Sequence, residues 1–300
     1  MAPLENESSP VQEPGKVKLV LFYLVLALLL VGVLYSPQFP ALWETWEADP
    51  NYGHGMLVPI LAVFLVFLKR KEISRIEPDP SSLGLFVILL GVLQFLLGTV
   101  ANELFTTRSS LILVILGVLL TLWGKRGART LLLPVLYLIF MIPLPYIVYN
   151  ALAFPMKLFA TQWSVFFLDL LRISAYREGN IIHLPNTTLE VVNACSGLRS
   201  LMSLITFGVV FAYVAQKRNL ARAVLVAAIL PIAIVANIVR IIVTALLAIH
   251  KGPETADGFL HDASGAVVYT VATLMVFGVN ELLRLFRRDR PEPSPDRLAL

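Results

Sequence analysis

Three residues of this 300-residue chain have the types of a nucleophile, a cation and a base, in that order: Cys195, Arg240 and His261. Cys195 is the only cysteine and stands in Asn193-Ala194-Cys195-Ser196-Gly197-Leu198-Arg199-Ser200, where a polar stretch gives way to a long apolar run. A thiol near a helix N-terminus feels the positive end of the dipole, and a nearby cation lowers its pKa further toward the reactive thiolate. An imidazole can take up and return a proton, and a guanidinium can orient a carbonyl or hold a developing oxyanion. Each residue also has a plainer reading. A solitary cysteine in a membrane helix commonly behaves as a small hydrophobe. A loop histidine can simply be solvated, and an intramembrane arginine can snorkel or form a structural ion pair.

The elements that must position these residues are membrane spans. Hydrophobic residues make up 57% of the chain and charged residues 15%, with mean hydropathy +0.78; soluble domains carry about 25% charged residues. Apolar runs long enough to cross a hydrocarbon core of about 30 Å recur along the chain. They are continuous, which favours helices over barrel strands. The expected fold is an all-α integral membrane protein of about eight transmembrane helices, at residues 19–36, 55–68, 83–104, 109–123, 130–146, 196–215, 220–250 and 264–283. Residues 1–15 are expected to be a disordered cytoplasmic tail, 16–288 one polytopic catalytic domain and 289–300 a second cytoplasmic tail. No signal peptide is expected, because the first apolar run is too long and lacks a small-residue cleavage site. Residues 37–55 read as a loop. Residues 147–172, mostly apolar but with Pro155, Lys157, Gln162 and Asp169, read as an interfacial or re-entrant amphipathic segment. Around Arg177-Glu178-Gly179-Asn180 the pattern predicts a short extracytoplasmic β-hairpin leading to Cys195. Pro231 predicts a kink in the run 220–250.

With eight spans, the basic clusters at 16–18, 69–75, 125–129, 217–218 and 284–290 all fall on one side, and the acidic loops fall on the other. The positive-inside rule then places both termini in the cytoplasm, and Cys195 and His261 on the outer face. The expected localisation is the bacterial inner (plasma) membrane. Arg240 lies ten residues before His250, about 15 Å below that end of its helix by the rise per residue, and so within the outer leaflet. Intramembrane arginines usually face the bundle interior and mark a function. Arg199, four residues after Cys195 on the same helix face, is a supporting candidate, as are Ser196, Asn237, His54 and Glu178. The net charge of +4 belongs to clusters beside the spans and does not imply nucleic acid. No metal-ligand spacing and no cofactor motif appears.

The cysteine box, taken with Glu178-Gly179-Asn180 before it and Asn237-Ile238-Val239-Arg240 and His261-Asp262-Ala263-Ser264-Gly265 after it, resembles the exosortase/archaeosortase family. Tyr52-Gly53-His54-Gly55 and Ile142-Pro143-Leu144-Pro145 resemble that family's upstream pattern, so the likeness covers about residues 17–285. The resemblance implies a membrane cysteine transpeptidase or protease with Cys195, Arg240 and His261 as its catalytic residues. It implies substrates that are secreted proteins with a C-terminal signal: a short motif such as Pro-Glu-Pro, one transmembrane helix, then a basic cluster. The thioester acyl-enzyme would be resolved by water or by an amine acceptor on a lipid or glycan. The chain's own Pro291-Glu292-Pro293 follows its last helix and arginines, the wrong order for such a signal. The alternative reading is a transporter or lipid-linked glycan handling protein that binds an anionic substrate through Arg199 and Arg240, though no inverted repeat supports it.

Overall fold

The computed structural model describes residues 14–185, 187–191, 198–251 and 259–288, and the chain divides into two compact units, Met1–Pro145 and Tyr146–Leu300. Both are overwhelmingly helical, and large apolar side chains cover their outer surfaces, as lipid-facing surfaces require. Among the described residues five helices are long and apolar enough to cross a membrane, or six if a pair bent by 70° (Leu19–Tyr35 and Gln38–Ala48) is one span. Two shorter apolar helices, Gly53–Leu68 and Arg199–Ala215, accompany them.

The N-terminal unit contains α1 (Pro14–Tyr35), α2 (Gln38–Ala48), a 3₁₀ turn (Gly53–Leu57), α3 (Val58–Leu68), α4 (Arg70–Ile73), α5 (Leu83–Val100), α6 (Leu104–Tyr137) and a second 3₁₀ turn (Leu138–Met141). The stretch expected to be a loop at 37–55 is therefore largely helical. Its acidic residues hide an amphipathic pattern in which Leu42 and Trp46 are buried on one side, and the Trp46 indole donates to the Met141 carbonyl at 2.9 Å.

The expected spans at 109–123 and 130–146 correspond to the two halves of α6, which Gly124 separates with a non-helical φ of +73°. Contacts at the two ends show that the chain folds back there. Tyr35 Oη lies 2.6 Å from Ser110 Oγ, while Trp46 reaches Met141. A straight helix would hold Ser110 and Met141 about 46 Å apart, more than the short α2 segment between Tyr35 and Trp46 bridges. At the opposite end the Ser81 amide donates to the Leu120 carbonyl at 3.2 Å and the Trp123 indole to the Ile76 carbonyl at 3.4 Å. The basic stretches at 69–75 and 125–129 thus sit at the same end of this unit. α5 and the first half of α6 pack antiparallel through Gly84, Gly91 and Gly98, seven residues apart, against Thr121, Val114 and Thr107, also seven apart. Missing side chains let the two backbones approach, the usual device of helix pairs in lipid.

The C-terminal unit contains α7 (Tyr146–Leu170), β1 (Tyr176–Glu178), β2 (Ile181–Leu184), β3 (Thr187–Glu190), α8 (Leu198–Ala215), α9 (Asn219–Lys251) and α10 (Phe259–Arg288). The predicted hairpin is one part of a three-stranded antiparallel sheet in the order β1-β2-β3. Its tight turn at Gly179, with φ +62°, joins β1 to β2 and does not join β2 to the strand that leads toward Cys195. α7 is a continuous helix of 25 residues, long and apolar enough to cross a membrane, where an interfacial or re-entrant segment was expected. The packing favours the expected placement for its second half. Ala160 and Leu168 form one core cluster with Ile182 and Leu184 of the sheet, Val191, and Ile238, Ile241 and Ala245 of α9. The Arg177 guanidinium reaches back to the Leu158 carbonyl. Open strand edges are not tolerated in hydrocarbon, so the part of α7 against the sheet lies at the membrane surface.

Candidate functional site

Arg240 sits on α9 and is 7% exposed. The 33 residues of α9 make a rod of about 50 Å, about 20 Å more than a hydrocarbon core. The C-terminal turns of α9 carry Ile241 and Ala245 into the cluster formed with the sheet, together with Ile238. Arg240 is therefore level with the sheet along α9.

Asn237, Arg240 and Thr244, one turn apart along α9, are all buried. They form a polar stripe on a helix that is otherwise apolar. Asn237 and Arg240 line a narrow cleft completed by Ser200 and Leu204 of α8 and by Val268 and Ala272 of α10. Three helices thus converge on the guanidinium. A Cβ added at Gly265 of α10 would lie 3.5 Å from Arg240 Nη2, so the guanidinium rests against the bare backbone there. On its other side Arg240 forms part of the wall of an open, almost wholly apolar groove of about 320 Å³ between α9 and α10, lined by Val239, Val243, Val267 and Val271 among others.

Cys195 and Ser196 lie outside the described residues. Their nearest described neighbours in sequence are Val191, buried in the cluster with Ile238 and Ile241, and Leu198, which starts α8. His261 lies in α10 one turn before Gly265, and its side chain is outside the described residues. Arg199, in the first turn of α8, is half-buried. Of the residues expected to act together, the structure joins Arg240 and Asn237 to the helix that carries His261.

The remaining candidates are His54 and Glu178. His54 belongs to the N-terminal unit, where it is 7% exposed in the 3₁₀ turn. Burial pushes its imidazole below the usual range, and a hydrogen bond with the Phe140 backbone works the other way. It ties one 3₁₀ turn to the other. Glu178 is exposed on β1, 3.2 Å from His183 Nε2, and His183 in turn stacks on Tyr176 at 4.4 Å. These three form a surface cluster on the sheet.

One buried cation escaped the sequence reading. Arg108 is 5% exposed, and its Nε and Nη2 have no hydrogen-bond partner among the described residues. The signal was present, a lone arginine beside an apolar run. Placing the start of that span at 109 left Arg108 in a loop. The helix in fact starts at Leu104, capped by the Glu103 carboxylate, which accepts from the Phe105 and Thr106 amides.

Residues 46–278 match the family model described as transmembrane exosortase. A "Probable archaeosortase E" from Methanocaldococcus jannaschii is 25% identical over 127 residues, which are 42% of this chain and 66% of that protein. No solved structure matches.

Proposed function

We propose that this chain, which belongs to the transmembrane exosortase family, is a cysteine transpeptidase or protease that acts where the membrane meets the outer face. The reading assigns Cys195 as nucleophile, His261 as general base and acid, and Arg240 as the group that binds the carbonyl oxygen. The observation that carries it is the Arg240 guanidinium, buried at the meeting of three helices against Gly265, one helical turn from His261. A charge is costly in such a place and is usually kept for function.

The chemistry follows from these roles. His261 takes the thiol proton, and the thiolate attacks the scissile carbonyl. Arg240 meets the charge that develops on oxygen. As the amide C–N bond breaks, His261 returns the proton to the leaving amine, leaving a thioester on Cys195. Water, or an amine on a lipid or glycan, then attacks the thioester and frees the thiol. The substrates in this reading are secreted proteins ending in a short motif, a transmembrane helix and a basic cluster. The basic cluster stays in the cytoplasm and the motif is held at the outer face. The same reading keeps both termini cytoplasmic in a bacterial inner membrane, as the basic clusters require.

The test is a tagged substrate carrying Pro-Glu-Pro, a helix and a basic tail, co-expressed with the protein. Cys195→Ala should abolish its processing while insertion is unchanged, and mass spectrometry should find the substrate's peptide as a thioester on Cys195 of the unaltered chain. Processing that survives Cys195→Ala would end the nucleophile assignment. The second reading, a carrier of an anionic lipid-linked substrate through Arg199 and Arg240, is favoured by the burial of Arg240. It expects Cys195→Ser to keep activity.

A further inference from the structure

We infer that the outer edge of β3 binds the extended segment of the peptide to be cleaved, adding it to the sheet as a fourth strand. This rests on the transpeptidase reading and names the surface on which that substrate lies.

The register decides which backbone groups are available. β2 pairs with β3 so that Ile181 faces Glu190, Ile182 faces Leu189, His183 faces Thr188 and Leu184 faces Thr187. The Val191 amide donates to the Asn180 carbonyl at 2.9 Å, which makes that pair a hydrogen-bonded one. In an antiparallel ladder such pairs alternate with pairs whose N–H and C=O groups point the other way. Thr187, Leu189 and Val191 therefore turn their backbone groups toward β2, and Thr188 and Glu190 turn theirs to the outside. Among the described residues β3 is the last strand of the sheet, and both of these residues are exposed. Their two N–H and two C=O groups form a row that an extended chain can pair with, the ordinary mode of strand addition to a sheet edge.

The position of the strand indicates what would pair there. β3 runs directly toward the cysteine box, with Cys195 five positions beyond Glu190 in sequence. The strand's inner side is fixed to the active-site helix: Val191 and, beside it, Leu189 pack with Ile238 and Ile241, on either side of Arg240 in α9. A peptide on the outer edge is thereby held by the same sheet that α9 supports.

Backbone pairing has a period of two, and this makes the proposal testable. The probe is a synthetic peptide with Pro-Glu-Pro, a leucine-rich helix and a Lys-Arg tail. Proline has no N–H, so when this motif pairs with the edge its glutamate must face β3 and both prolines must face away. Binding of the fluorescent probe is measured on the full chain in nanodiscs carrying Cys195→Ala, so no turnover is needed. N-methylation of the motif glutamate, or of the residue two positions before it, is expected to weaken binding about three- to tenfold, the worth of one hydrogen bond. N-methylation three positions before it is expected to change nothing. Thr188→Pro and Glu190→Pro, which remove only outward N–H groups, should each weaken binding to a similar degree without lowering the thermal midpoint. A flat N-methylation profile, or no binding, overturns the edge. Binding with the period-two pattern but without cleavage by the unaltered chain overturns the chemistry and leaves the edge standing.

Discussion

The guanidinium of Arg240 lies against Gly265, with Nη2 3.5 Å from where a side chain at that position would begin. That distance is ordinary contact for a methyl group and too short for anything longer. Gly265→Ala should therefore process substrate at near the unaltered rate. Gly265→Leu should push the guanidinium aside and cost about a hundredfold in kcat/KM, the usual result of misplacing a catalytic group by about an ångström. Both variants should insert and keep their thermal midpoints. A Gly265→Leu protein with unaltered kinetics would remove Arg240 from the chemistry.

Arg240→Lys separates charge from shape. Lysine keeps the charge but offers a point donor in place of a planar fork. If the guanidinium meets the developing oxyanion, the lysine variant should lose about a hundredfold in kcat, with KM changed little. Arg240→Met removes the charge and should lose at least as much activity. An oxyanion role predicts a loss of rate well beyond what any change in its thermal midpoint accounts for. The measurements are single-turnover rates and thermal unfolding of each variant. A matching fall in activity and midpoint would point to a structural role.

His54 makes the N-terminal unit sensitive to acid. Burial is the main reason that its folded-state pKa lies below its usual value, with the Phe140 hydrogen bond opposing. The unfolded chain, near 6.5, therefore takes up a proton before the folded one does. The contribution to stability is complete above about pH 6.5 and is lost as the pH falls through the folded-state value. The thermal midpoint of the unaltered chain should drop between pH 7.5 and 5.5, and His54→Gln should drop less over the same range. Equal drops would show that other groups carry the acid sensitivity.

The apolar stretches and the basic clusters that flank them were legible because hydropathy and charge act locally. α2 was not, because Glu44 and Glu47 dilute its composition while its buried face, Leu42 and Trp46, has a partner at Met141, distant in sequence. The third strand was missed because the turn at Gly179 was assigned to the wrong pair of strands. Arg108 was lost to a boundary error of five residues.

Gly124 shows how much one backbone position can decide. It is held at φ +73°, where residues with a Cβ are strained, and a Cβ there would overlap the Asp79 carbonyl oxygen. Two costs therefore add on Gly124→Ala: a backbone conformation, φ +73° with ψ −170°, that essentially only glycine adopts, about 1–3 kcal/mol, and a clash with backbone that cannot rotate away. The obvious relief is for α6 to straighten. That would pull Met141 from Trp46 and break the pairing of both ends of the unit. Gly124→Ala should accordingly lower the thermal midpoint and the yield of inserted protein, and Gly124→Val should do so more severely. Gly127→Ala, on the next turn and in a site equally crowded against the base of the Trp123 side chain, is the comparison: it shares the crowding, but its backbone is helical. If Gly124→Ala were no worse than Gly127→Ala, the fold-back would not depend on the glycine, and the adjoining Lys125-Arg126 pair, which must stay out of the hydrocarbon, would be the remaining reason for the chain to reverse at that point.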